Sequence, residues 1–275
     1  MCSKLLHIFR NTPLGRETLF QSIYFCKQIN VLPVIYIPRF TKFLMYFKND
    51  VVQIDLDESY LTSADTAIDR VTAMMEQEEI QPRFIEPQNF TASTLPDLPT
   101  NFDFMCCPRS MSDLSSKIGL GHIGTKVRWI IKYAHFPILL TSPVFKKWKS
   151  ITIFFGGSAN ALKALRLGFR LSRISGMPLD IFTQLEEKSP EEYKQIIKDE
   201  ELEDSLNQNI RKWDFFESGN FEDNLYHVPH DALVVLGAYG YGLIKEMLFG
   251  SKMEKIQTTI SNNLLIAGPK YFVSK

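Results

Sequence analysis

The stretch "GAYGYGLIKEMLFGS", Gly237–Ser251, follows the apolar run Ala232–Leu236 and precedes a segment that reads as a helix. It spends three glycines and a terminal Gly-Ser pair within fifteen residues, between a strand and a helix. Glycine in such a place means that the backbone turns where a Cβ would clash, or comes very close to something. That something is either a ligand or the neighbouring chain. Under the second reading, Gly237 and Gly240 serve a tight turn and Gly250 caps a helix.

Working outward, the second half reads as an alternating series. "SITIFFGG" is a buried strand ending in glycines. "SANALKALRLGFRLSRISG" has helical apolar spacing, with Ser158 as N-cap and Gly176 as stop. "PLDIFTQ" is a strand, and the charged segment Glu186–Arg211 is a helix opened by Ser189 and Pro190. "WDFFES" is a strand, "FEDNLYHV" a short helix, "ALVVLG" a strand, "SKMEKIQTTISN" a last helix and "LLIAGP" a fifth strand. Strands apolar on both faces that alternate with helices predict a parallel sheet covered by helices.

The first half repeats this plan. "KLLHIF", the helix "GRETLFQSIYFCKQIN", "LPVIYIP", "PRFIEP", "FDFMCC", the helix "HIGTKVRWIIKYAH" and "PILLTSP" take the corresponding places. The closings share a register. Thr125 precedes Pro143 by eighteen residues, and Ser251 precedes Pro269 by the same number. A repeat of this length predicts a duplicated domain, residues 1–145 and 150–275, joined near "VFKKWKS". Extra material at residues 40–63 belongs to the first half alone, and "VVQIDLD" within it reads as an added strand or hairpin piece.

The chain resembles the universal stress protein family in its tandem form. The match rests on G-x2-G-x9-G-[S/T] after the fourth strand, met by Gly237, Gly240, Gly250 and Ser251, and on "GGSANALKAL" after the first. The resemblance implies α/β architecture: two tandem Rossmann-like open parallel five-stranded sheets, order 3-2-1-4-5, with helices on both faces. It also implies a stress-response module that binds ATP, with Mg accompanying it, across the carboxyl ends of strands one and four. Ligands in such sheets sit at that switch point. Glycines let backbone N–H groups face a phosphate, and a helix N-terminus adds positive dipole. The residues expected to hold the nucleotide are Gly156, Gly157, Ser158, Gly237, Gly240, Gly250, Ser251 and Lys252. One departure is plain: Gly156 stands where the family has an acid that helps hold the adenosine part.

The first half departs further. Pro108 and Arg109 stand where the glycine loop should open, and Arg10 or Asn11 replaces the strand-one acid. ATP is therefore not expected in this half, whose expected part is structural. Arg10, Arg39 and Arg109 each follow a predicted strand end, which makes them a candidate anion clamp. The plainer reading, and the favoured one, gives each arginine to solvent or to a local acid such as Glu17. In the family, fifth strands pair across dimers, so "PILLTSP" is expected beside "LLIAGP", with a further homodimer as an extension.

Bulk properties exclude several classes. Lysine plus arginine and aspartate plus glutamate both number 31, so no global attraction to nucleic acid or membrane is expected. Cys2, Cys26, Cys106 and Cys107 form no CxxC pair, and His227 with His230 lacks further ligands for a metal. The opening "MCSKLLHIFRNT" has no long apolar run, so a reduced, cytoplasmic protein is expected. No arrangement of residues supports catalysis. A slow ATPase or phosphotransferase, one alternative, would need a metal-holding acid and a base near the γ-phosphate. A ligand-free interaction protein is the remaining alternative.

Overall fold

A computed structural model describes residues 3–61, 64–88, 94–109, 111, 123–185, 188–217, 221–238 and 260–272. They form a mixed α/β structure, and the chain divides into two compact units between Lys146 and Lys147.

In the first unit, β1 (Lys4–Ile8) leads to α1 (Pro13–Ile29) and β2 (Leu32–Tyr36). A hairpin follows, β3 (Lys42–Phe47) with β4 (Asp50–Asp55), then α2 (Ala64–Gln77). β5 (Phe84–Ile85), β6 (Asp97–Leu98), β7 (Phe104–Cys107), α3 (Thr125–Tyr133) and β8 (Ile138–Leu140) complete it. Parallel pairing runs β5-β2-β1-β7-β8. The residue 40–63 segment is more than the single added piece read from "VVQIDLD". β3 and β4 pair antiparallel from Lys42↔Asp55 to Phe47↔Asp50, and β6 adds to β3 in parallel, which makes a separate small sheet. The hairpin closes where Lys48 takes a positive φ of 56°. One apolar cluster, including Phe9, Leu19, Ile23, Val71 and Met75, fixes α1 and α2 to the sheet.

The second unit contains β9 (Ser150–Phe154), α4 (Ala159–Ser175), β10 (Leu179–Gln184), α5 (Pro190–Asp199) and α6 (Glu203–Asn209). β11 (Ile210–Phe216), α7 (Phe221–Asn224), a 3-10 turn at Leu225–His227, β12 (Ala232–Gly237) and β13 (Leu264–Ala267) follow. Parallel pairing runs β11-β10-β9-β12-β13. β9, β12 and β13 are buried along their whole length, as strands covered on both faces must be. Ser158 caps α4 by accepting from the Ala161 N–H, and Gly176 ends it at φ 69°. Helix within Glu186–Arg211 is broken rather than continuous. α5 stops at Asp199, Glu201 takes φ 55°, and Arg211 belongs to β11. The expected last helix over Ser251–Asn262 lies outside the described residues up to residue 259.

One carboxylate is buried at the amino end of this sheet. Asp180 on β10 is 2% exposed, and Arg211 Nε donates to it at 2.9 Å while Nη2 donates to its other oxygen. Arg211 is half exposed, so the pair draws its worth from the buried partner rather than from surface attraction. Arg211→Ala leaves that carboxylate without its donors and is expected to cost about 2–3 kcal/mol. Urea unfolding of wild type and variant measures the difference.

Candidate functional site

In the second unit, β9 and β12 lie side by side, with Phe154 opposite Leu236, so their carboxyl ends open together. After β9 the chain makes a four-residue turn, Phe155–Ser158, into α4. Gly157 adopts φ +70° there, a region that L side chains rarely enter. Its Cα faces Ile196 and Tyr193 of α5, which would stand 3.0 and 3.2 Å from an added Cβ. Gly156 is exposed beside it. Ser158 spends its hydroxyl on the Ala161 N–H at 3.2 Å. The remaining first-turn N–H groups of α4 have no intrahelical acceptor.

Gly237 answers part of the opening question. A Cβ on it would lie 2.2 Å from the Asn160 carbonyl oxygen and 2.7 Å from the Ala161 nitrogen. The close neighbour is therefore the first turn of α4, that is, the chain itself. Asn160 Nδ2 reinforces the contact by donating to the Ala238 carbonyl at 2.6 Å. This packing brings the start of the glycine loop into backbone contact with the N-terminus of a seventeen-residue helix. Gly240, Gly250, Ser251 and Lys252 lie outside the described residues.

Aromatic rings line the carboxyl ends of β9, β10 and β11. Phe154, Phe182 and Phe216 stack in sequence at 4.8 and 4.6 Å, and His227 follows at 5.1 Å. On the opposite face, Trp213 Nε1 donates to Thr183 Oγ1, and that hydroxyl donates to the Phe155 carbonyl. His227 thus packs on a ring. Among the described residues no group of three or more His, Cys, Asp or Glu is placed to hold a metal.

Helix caps decide which residue of the first unit corresponds to Gly156. Thr12 caps α1 four residues after β1 ends, and Ser158 caps α4 four residues after β9 ends. Arg10 is therefore the counterpart of Gly156, rather than Asn11. Its guanidinium is taken by the chain itself. Arg10 Nη2 lies 3.0 Å from Asp57 Oδ2 and donates to Oδ1 at 3.2 Å. Nε donates to Ser59 Oγ, and the group sits 5.2 Å over the Tyr60 ring. Arg39 pairs with Glu86 at 3.5 Å at the surface, in a different cavity. Arg109 follows β7, and burial lowers its pKa to about 10. Glu17 accepts from the Phe145 N–H at 2.6 Å. Asp57 was missed in the sequence because 47 residues separate it from Arg10.

The fold has solved relatives. A universal stress protein from Archaeoglobus fulgidus DSM 4304 superposes with a TM-score of 0.61 at 14% identity, covering 96% of each chain. A functionally unknown protein from Pseudomonas aeruginosa PAO1 gives 0.57 at 8% identity, over 98% of this chain and 93% of that one. The cytoplasmic domain of a prokaryotic cation chloride cotransporter gives 0.54 at 10% identity, over 97% and 95%. No protein-family profile and no curated protein sequence matches. At these identities the likeness establishes a fold of the universal stress protein type. No helix among the described residues is long and apolar enough to cross a membrane.

Proposed function

We propose that the second unit is an adenine-nucleotide-binding module of universal-stress type, and that the first unit is its structural companion. The observation that carries this reading is the placement of the glycine pattern. Gly237 opens it where β12 abuts the N-terminus of α4, beside the β9–α4 turn. Phosphates placed there meet a helix dipole, first-turn N–H donors and a loop whose Gly240 and Gly250 carry no Cβ atom. Mg accompanies the triphosphate as its usual counter-ion. The aromatic row from Phe154 to Phe216 offers an apolar side to the same sheet end. Gly156 supplies no carboxylate to the sugar, so recognition rests more on phosphate than in an acid-bearing site. The expected behaviour is binding with little hydrolysis, since Glu246 is the single acid of the glycine loop and has no second carboxylate there to serve as base.

Gly240→Val tests the site. The branched side chain intrudes where backbone must face phosphate, and the core strands are untouched. Wild type should gain thermal stability with millimolar ATP, and the variant should keep its melting temperature and lose the gain. Equal gains in both would remove the glycine loop from the site.

A further inference from the structure

We propose that the crevice at the carboxyl end of β1 in the first unit is a binding site for a small aromatic oxyanion, occupied in this chain by its own Asp57–Tyr60 turn. The proposal is independent of any ligand in the second unit.

Position comes first. Arg10 stands at the switch point of its sheet, between β2 and β7, where open α/β sheets bind ligands. The turn that reaches it comes from the segment unique to this half. It supplies a carboxylate to the guanidinium and a ring beneath it, which are the two ends of an aryl anion. Both are well inside. Tyr60 is 2% exposed and the Asp57 side chain is 8% exposed. Backbone bonds fasten the turn, with the Asp57 N–H donating to the Met111 carbonyl and the Ser59 N–H to Asp57 Oδ1.

The remaining space fits the same account. Arg10, Tyr60, His7, Thr18, Gly15 and Pro108 enclose a cavity of about 10 Å³, room for about one water. His7 is 1% exposed, and its Nε2 has no partner among the described residues. Ser22 Oγ occupies its other nitrogen at 2.7 Å. The N-terminus of α1 borders the cavity through Leu14 and Gly15. A guanidinium, an unsatisfied imidazole nitrogen and a helix N-terminus around one space are what an oxyanion needs. Removing the Tyr60 ring and the Asp57 carboxylate would enlarge that space to the size of an aryl phosphate.

The test uses the full chain and phenyl phosphate. Wild type should show no rise in melting temperature at millimolar probe. The double variant Asp57→Ala with Tyr60→Ala should melt lower, and the probe should raise it saturably by about 3 °C. Adding Arg10→Gln should abolish the rise. If the double variant does not fold by circular dichroism, Asp57→Ala alone replaces it, with inorganic phosphate as probe and Asp57→Ala with Arg10→Gln as control. No rise in the opened variant, a rise that survives Arg10→Gln, or an equal rise in wild type each overturns the proposal.

Discussion

Gly15→Ala and Gly237→Ala should each unfold the protein far more easily than their single added methyl implies. A Cβ on Gly15 would lie 1.8 Å from the Arg10 carbonyl oxygen, and one on Gly237 would lie 2.2 Å from that of Asn160. Both obstacles are backbone, the β1–α1 turn at Gly15 and the first turn of α4 at Gly237, so relief requires a helix to shift against its sheet. The expected cost is about 3–5 kcal/mol, at or above the upper end of overpacking. Two other glycines serve as controls. Gly168 would place its Cβ 2.3 Å from Ile153 Cδ1 and 2.6 Å from its Cγ1, so a buried side chain rather than backbone must give way. Overpacking of about 1–3 kcal/mol is offset there by up to about 1 kcal/mol of helix propensity, so Gly168→Ala should cost less than a clash with backbone. Gly176→Ala meets nothing within 4 Å but keeps φ at +69°, which costs about 1–2 kcal/mol. Chemical denaturation of the four variants should place Gly15→Ala and Gly237→Ala well below both controls in stability. Gly15→Ala and Gly237→Ala as stable as wild type would contradict the close approaches.

Acid should weaken the first unit through His7. Burial lowers its folded pKa to about 3, against 6.5 for the free side chain. Below pH 6.5 the unfolded chain takes up a proton that the folded chain refuses. Stability is therefore complete above about pH 6.5 and falls as pH drops toward 3. The slope approaches about 1.4 kcal/mol per pH unit, or about 2 kcal/mol between pH 7 and 5. The site offers little compensation: Ser22 and Phe9 are its neutral neighbours, and Arg10 lines the same cavity. His7→Gln should flatten this part of the profile, whatever it costs at pH 7. An NMR titration provides a second readout, in which the His7 ring resonance stays constant down to pH 5. Movement with a midpoint near 6.5 would show that the ring is hydrated.

The alternation of strands and helices was legible because strands buried on both faces read as unbroken apolar runs, such as Ile151–Phe155 and Ala232–Leu236. Ser158, Gly176 and Ser189 were legible as caps because capping is local chemistry. What escaped the sequence was long-range. Nothing near Gly15 announces that the Arg10 carbonyl lies under its Cα. Nothing near Asp57 announces that its partner stands 47 residues earlier. Arg10, Arg39 and Arg109 follow strand ends as read, yet two of them meet acids of their own chain, Asp57 and Glu86. The break between α5 and α6 also escaped, because Glu201 takes a positive φ without a glycine to mark it.

The proposed division of labour, an open nucleotide site in the second unit and a self-filled crevice in the first, has one direct measurement. Isothermal titration of the nucleotide-free full chain with Mg-ATP counts sites as well as detecting them. The account predicts one site per chain, lost in Gly240→Val and retained in Arg10→Gln. No heat at millimolar ATP, two sites per chain, or a single site that Arg10→Gln removes would contradict it.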